Sequence, residues 1–243
     1  MIKSLLKKLD DVSKEKDIST PYVCGGIPRD KAIGIIKEIK DIDITTGDKT
    51  IHILSKEMSI LLKDSKKYFY KTFDDGHSTL ITDDGKLDFS SNFIIPGLEN
   101  ILKEKLTSLE KEMFSRDFTI NSLLLTLDLK TLIDPTDLGL DDIKKKIIKT
   151  CLPAALTLRA DPRRVIRAIN LAARLNFDVD DDIIIWSRKN KDLLQSVDKR
   201  YISEKIFPAL EKNKTITLYL IKEMQLLDSL NFSENALGRI NNE

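Results

Sequence analysis

The stretch Asp41-Ile42-Asp43-Ile44 alternates acid with isoleucine, and its reading decides the fold. On a strand, residues i and i+2 leave the same face, so both carboxylates stand on one side while the isoleucines enter a core. Two adjacent carboxylates repel each other unless a cation neutralises them. A pair of divalent ions bound there is the arrangement that supports in-line attack on phosphorus. A solvated strand end in a charge-rich chain carries the same local pattern, so the flanking segments have to arbitrate.

Upstream, Tyr22-Val23-Cys24-Gly25-Gly26 reads as a strand ending in a glycine pair. An amphipathic stretch from Arg29 to Lys40 follows and predicts a helix that begins near Pro28 or Arg29, where the missing proline N–H is harmless. A glycine pair at a helix N-terminus lets backbone N–H groups approach a polyphosphate. Downstream, HSTLITDDGKLDFS (His77 to Ser90) reads as a hairpin turning at Asp83-Asp84-Gly85. Asp88 lies in its second strand. If that strand neighbours the acidic one, Asp88 completes a metal site; otherwise it is an ordinary polar residue.

The chain opens with Ile2, Leu5, Leu6, Leu9 and Val12 spaced along a helix face, and its lysines interrupt any signal-peptide core. From about Pro135 the strand signals fade. Apolar residues recur at helical spacing through Ile143–Ile148, Val165–Leu175, Ile183–Leu194, Ile202–Leu210 and Ile216–Leu230, which predicts an all-helical remainder. The fold class expected is therefore α+β, with the junction near Asp134-Pro135.

Composition narrows the function classes. The 243 residues include 40 Lys plus Arg against 39 Asp plus Glu, with 33% charged and 41% hydrophobic residues, which excludes a disordered, collagen-like or disulfide-stapled chain. Cys24 and Cys151 read as small apolar side chains in a reducing compartment. No apolar run approaches the ~20 residues that span a bilayer, so a soluble cytoplasmic protein without a membrane partner is expected. His52 and His77 have no zinc-ligand spacing around them, and Trp186 reads as core. With a formal net charge of only +1, any nucleic-acid affinity has to come from a local patch. Such a patch exists: from Lys144 to Arg174 nine basic residues stand against a single acid, Asp161.

Taken in order, these motifs resemble the tRNA nucleotidyltransferase/poly(A) polymerase family of the polymerase-β superfamily, and more narrowly its bacterial-type, class II branch. GGIPRD (Gly25 to Asp30) is similar to the family's GGxVRD and Asp41-Ile42-Asp43 to its DxD. The hairpin is similar to the strand pair carrying the third acid, which falls on Asp88. RDFTIN (Arg116 to Asn121) is similar to RRDFTIN, IDPTDLGLDDIKKKIIK (Ile133 to Lys149) to the approach to the neck, and DPRRVIRA (Asp161 to Ala168) to EDPLRxLRA. The resemblance runs from about Tyr22 to Leu230. Three positions depart from it: Ser115 stands where the first Arg of RRD is usual, Ala160 where the Glu of EDxxR is usual, and Asn92 at a place often held by Arg.

The resemblance implies a polymerase-β-type head with a small mixed sheet over residues 1–135, a helical neck over 136–205 and a short, truncated helical body over 206–243. It implies Asp41, Asp43 and Asp88 as catalytic ligands of two Mg²⁺ ions. Gly25, Gly26 and Arg29 would cradle phosphates, Arg116, Asp117 and Asn121 would handle ribose or triphosphate, and Arg167 would sit near the phosphates. Asp161 and Arg164 would select the base: a carboxylate only accepts and a guanidinium only donates, so the pair matches the edge shared by adenine and cytosine and rejects guanine and uracil. The same helix carries Arg163, Arg164, Arg167 and Arg174 within an arc of roughly 100°, opposite Val165, Ile166, Ile169, Ala172 and Ala173. Lys144, Lys145, Lys146, Arg163 and Arg174 would bind RNA.

The activity expected is template-independent addition of C and A from CTP and ATP to tRNA 3′ ends. Poly(A) or oligo(A) addition shares all these motifs. A nucleotidyltransferase for a small molecule or protein would not need the basic neck, and a catalytically weak RNA-binding relative would have no reason to keep the DxD. The short body, with no family tail, suggests that a second protomer or a separate protein supplies further RNA contacts.

Overall fold

Alternation and helical spacing translate directly into the first half of the computed structural model, which describes residues 2–35, 38–90, 92–102 and 105–227. The chain divides into two compact units, Met1–Ile143 and Lys144–Glu243. The first contains α1 (Ile2–Glu15), β1 (Tyr22–Cys24), α2 (Gly26–Ile33), β2 (Asp41–Thr45), α3 (Thr50–Leu61), β3 (Tyr68–Thr72), β4 (Ser78–Thr82), β5 (Gly85–Phe89), α4 (Leu98–Ile101), α5 (Ser108–Phe114), β6 (Leu124–Leu125), β7 (Leu132–Ile133) and α6 (Gly139–Lys145), which runs across the division.

Its strands form a seven-stranded mixed sheet in the order β3-β4-β5-β2-β1-β6-β7. The β2–β5 pair is parallel and its neighbours are antiparallel. One face is the core. Val23, Ile42, Ile44, Leu80, Leu87 and Phe89 pack against Leu5, Leu6 and Leu9 of α1 and Ile51, Leu54 and Met58 of α3, all fully or nearly fully buried. Truncating one such isoleucine to alanine costs about 2–5 kcal/mol. This burial holds the alternation in register, because a one-residue slip would exchange the isoleucines for the aspartates. On the opposite face, Cys24 packs with Met113 of α5 and Leu124.

Three expectations for this half are corrected. The helix predicted over Arg29–Lys40 is shorter and earlier: α2 ends at Ile33 because Gly34, at φ +83°, turns left-handed and donates to the Lys31 carbonyl. Strands β3, β6 and β7 extend a sheet of which the alternation had shown only β1, β2 and the hairpin. The helix expected over Ile143–Ile148 stops at Lys145, after which Lys146 takes φ +55° and Ile147–Ile148 forms a strand.

The second unit continues with β8 (Ile147–Ile148), α7 (Ala154–Ala160), α8 (Arg163–Leu175), β9 (Asp178–Val179), α9 (Asp181–Lys189), α10 (Lys191–Gln195), α11 (Lys199–Lys212) and α12 (Lys214–Glu223). It is not all-helical, since β8 and β9 pair in parallel. Two residues per strand are too few to display a period in sequence. The predicted helix Ile183–Leu194 breaks at Asn190 into α9 and α10, and the expected division at 205/206 falls inside the continuous helix α11. The helix expected over Ile216–Leu230 is the shorter α12, which ends at Glu223; residues 228–230 lie outside the described residues. Helix α8 packs on α11 and α12, its Val165, Ile166, Ile169, Ala172 and Ala173 are buried, and Asn170 Nδ2 donates to the Lys205 carbonyl at 2.7 Å.

Candidate active site

Strand period and register together build an acidic face on the first unit. Asp41 and Asp43 are exposed while Ile42 and Ile44 are fully buried. In the parallel β2–β5 pair Asp41 lies opposite Lys86 and Asp43 opposite Asp88, so the third acid stands beside the first two on the same face. Across β1, Cys24 lies opposite Asp43.

Gly25 allows Asp43 its position. Its φ is +74° with ψ −128°, a combination open essentially to glycine. A Cβ there would meet Asp43 Oδ2 at 2.5 Å. The carboxylate thus lies against the turn that opens α2, where backbone N–H groups begin. Gly26 has an ordinary φ, and a Cβ there would meet only the Arg29 guanidinium, at 3.3 Å.

Around this turn the remaining motif residues form a buried network. Arg29, 4% exposed, donates from Nε and one terminal nitrogen to Asp30 Oδ1 and from the other to Asn121 Oδ1 at 2.8 Å. Asn121 Nδ2 in turn donates to Asp117 Oδ1 at 3.1 Å, which also accepts the Phe118 N–H. Arg116 sits apart from these. Its guanidinium pairs with Glu112 at 2.9 Å and reaches Ser90 Oγ and Cys24 Sγ, each at 3.0 Å. Glu112 also accepts from Thr45 Oγ1 at 2.8 Å, which ties α5 to the end of the acidic strand. Burial works against the Arg116 charge, but Cys24, Glu112 and Asp43 raise its proton affinity beyond the ordinary arginine range. Burial pushes the Cys24 thiol up to about 12 despite the neighbouring arginine, so it stays protonated.

Two residues of the acidic face were not legible as site residues. Lys86 Nζ lies 2.5 Å from Asp88 Oδ2, and Thr79 Oγ1 donates to Asp88 Oδ1 at 2.5 Å. The Asp88 carboxylate, and more weakly Asp41 and Asp43, hold the Lys86 ammonium above the usual lysine range against its partial burial. The available signal was the alternation of Gly85 to Phe89, which puts Lys86 and Asp88 on one face.

The donor set suits a hard divalent ion such as Mg²⁺: carboxylate oxygens on adjacent strands, one of them seated by a glycine turn, with an ammonium already among them as a monovalent cation. Among the described residues no three acid, histidine or cysteine side chains gather closely enough to hold a metal together. Both oxygens of Asp88 are engaged, by Lys86 and Thr79.

In the second unit, α8 presents a different arrangement from the expected stripe. Arg163, Arg167 and Arg174 are exposed, but Arg164 is buried at 7% and donates to the Thr157 carbonyl at 3.4 Å. At 100° per residue the first three lie within about 40° of one another and Arg164 stands at the edge of the arc. The Asp161 carboxylate accepts the Arg163 backbone N–H, but the N-cap of α8 is Pro162 rather than Asp161, which was expected there. It also accepts the Arg163 guanidinium at 2.8 and 3.1 Å, so its partner is Arg163 rather than Arg164. Lys144, Lys145 and Lys146 are exposed. Ser115, one of the departures from the family pattern, is buried and bridges two elements: its Oγ accepts the Ile95 N–H and donates to the Lys111 carbonyl. Asn92 takes φ +55°, and Ala160 is exposed. Among the described residues no helix is long and apolar enough to cross a membrane.

Comparison with known proteins adds a family context. The sequence profile of the poly(A) polymerase head domain matches residues 21–149. The A-adding tRNA nucleotidyltransferase of Aquifex aeolicus is 27% identical over 234 residues, covering 90% of this chain and 27% of that protein. The CCA-adding enzyme of Streptococcus mutans is 29% identical over 186 residues, covering 74% of this chain and 44% of its own length. This chain therefore spans between about a quarter and just under half of these relatives. Among solved structures, a tRNA-processing enzyme with CTP superposes with a TM-score of 0.71 at 26% identity, over 95% of this chain and 61% of that one. A tRNA nucleotidyltransferase complexed with a primer tRNA and an incoming ATP analogue superposes at 0.68 and 26% identity, over 93% and 64%.

Proposed function

This chain belongs to the poly(A) polymerase head-domain family, and from that premise we propose that it adds C and A from CTP and ATP to the 3′ ends of tRNA without a template. The observation that carries the reading is the register that sets Asp88 beside Asp43 with Asp41 on the same face, next to the Gly25 turn. Asp41, Asp43 and Asp88 are the residues that would hold Mg²⁺. The chemistry that two such ions would supply there is a lowered pKa at the RNA 3′-hydroxyl and neutralisation of the triphosphate and leaving pyrophosphate.

The protein's own groups do the rest. Gly25 and Gly26 let backbone N–H groups approach the phosphates. Arg29, Asp117 and Asn121, tied to one another, brace that turn on the ribose and triphosphate side, and Arg116 braces the end of β2 through Glu112. Asp161 and Arg164 read the base. For this, Asp161 exchanges the guanidinium of Arg163 for the amino group that adenine and cytosine share, and Arg163 turns to RNA phosphate. Arg167, exposed on α8, is the residue for the nucleotide phosphates. Lys144, Lys145, Lys146 and Arg174, all exposed, extend a basic surface for RNA. Poly(A) or oligo(A) addition is the second reading, favoured by the match of residues 21–149 to the poly(A) polymerase head-domain profile.

The test incubates the protein with Mg²⁺ and end-labelled tRNA ending at the discriminator base, supplying each nucleotide singly and then CTP with ATP. Two C additions followed by one A establish the first reading, and a ladder with ATP alone establishes the second. Asp41→Ala combined with Asp43→Ala abolishes transfer while leaving RNA binding largely intact; transfer surviving that change overturns the mechanism.

A further inference from the structure

We propose that Lys86 is a positioning residue that keeps Asp88 engaged until a divalent ion displaces it, so that metal binding and assembly of the three-carboxylate set are one exchange. The inference rests on the reading of Asp41, Asp43 and Asp88 as metal ligands and adds what their neighbour does to them.

The geometry is specific. Lys86 Nζ is 2.5 Å from Asp88 Oδ2, and the Thr79 hydroxyl is 2.5 Å from Asp88 Oδ1, so each oxygen of the third acid has one partner. Lys86 follows from the register: it lies opposite Asp41 and two residues before Asp88, on the acidic face. Three carboxylates on adjacent strands repel one another, and the Lys86 ammonium is the cation the chain itself supplies among them. A lysine is a compact charge on a flexible stem. It can leave the carboxylate without rearranging the backbone, whereas Thr79, buried on the neighbouring strand, stays and orients Asp88. A divalent ion then competes with the ammonium for Asp88 Oδ2. The price is a weaker affinity for free metal than the same carboxylates would have alone.

The experiment measures Mn²⁺ binding, by the loss of the free-ion electron paramagnetic resonance signal, in the absence of nucleotide. It compares the wild-type protein with Lys86→Met, Lys86→Arg, Lys40→Met and Asp41→Asn combined with Asp43→Asn, each confirmed folded by circular dichroism. Lys86→Met is expected to bind Mn²⁺ about tenfold more tightly, the order of effect of removing one nearby unit charge at a protein surface. Lys86→Arg, which keeps the charge, is expected to stay near wild type. Lys40 is exposed and pairs with Glu38 beside Asp41; its removal is expected to matter little. Equal or weaker binding by Lys86→Met, with the Asp41/Asp43 variant having lost the metal, overturns the role of Lys86 and leaves the metal site standing. An equal gain in Lys40→Met reduces the effect to general charge and overturns it as well. Unchanged binding in the Asp41/Asp43 variant, or no binding in any of the proteins, overturns the metal site and this inference with it.

Discussion

Alanine at Gly25 would place a methyl carbon 2.5 Å from Asp43 Oδ2, on a backbone at φ +74° and ψ −128°. Two penalties follow. An L-residue held in that region is strained by about 1–3 kcal/mol. The carboxylate must also retreat to an ordinary contact near 3.4 Å, a displacement of about 0.9 Å, and a misplacement of about 1 Å in a reacting constellation lowers the rate by about 100-fold. Gly25→Ala is therefore expected to lose about 1–3 kcal/mol in urea unfolding followed by circular dichroism. It should also lose about two orders of magnitude in single-turnover nucleotide incorporation at saturating nucleotide. Gly26→Ala is the matched control. That position is helical and its nearest new contact is the Arg29 guanidinium at 3.3 Å, so stability is expected to change by less than about 1 kcal/mol. Any effect there should fall on nucleotide affinity. A Gly25→Ala protein with wild-type stability and turnover would refute the argument that this glycine exists to seat Asp43.

Three further outcomes are expected. Burial pushes the Asp48 carboxyl up, but hydrogen bonds from Ser19, Thr50 and Thr46 outweigh it and hold it below the ordinary range. Its contribution is present above the usual aspartate pKa and fades as pH falls through the lowered one. Asp48→Ala, which removes the acceptor of the Thr50 N–H at the start of α3, should thus cost about 1 kcal/mol at pH 7 and progressively less as pH falls below the usual aspartate pKa, read from urea midpoints across that range. Cys24, with its thiol at about 12, should resist iodoacetamide at pH 8 in the native protein while half-buried Cys151 reacts; mass spectrometry showing both labelled at similar rates contradicts this. Ser115→Arg restores the family's residue but strands the Ile95 N–H and overfills a buried site, so a loss of at least about 2 kcal/mol is expected, and unchanged thermal stability would count against it.

Much of the acidic face was legible because strand alternation is a local property: Asp41 and Asp43 share a side in any strand, and the isoleucines between them had to go inward. The helix face of Ile2 to Val12, the strand before Gly25 and the hairpin around Asp83 follow from equally short-range patterns. In the second half, the buried side of α8 was readable from its period, although its N-cap is Pro162 rather than Asp161. The family profile spans residues 21–149, which hold the Gly25 turn, the acidic strand, the hairpin and Arg116 to Asn121.

What local pattern could not decide was partnership. That β5 lies parallel beside β2, with Asp88 against Asp43 and Lys86 against Asp41, depends on how strands far apart in sequence share one buried core. The same holds for side chains with several available partners. Arg29 turns to Asn121 and Arg116 to Glu112, because burial rewards pairing of polar groups, whereas Asp161 takes the exposed Arg163 rather than Arg164. Sequence alone therefore determined which residues are candidates for the chemistry and which way each strand faces, since both are set within a few residues. Only the tertiary structure decided which of them meet, because that is settled by the whole core at once.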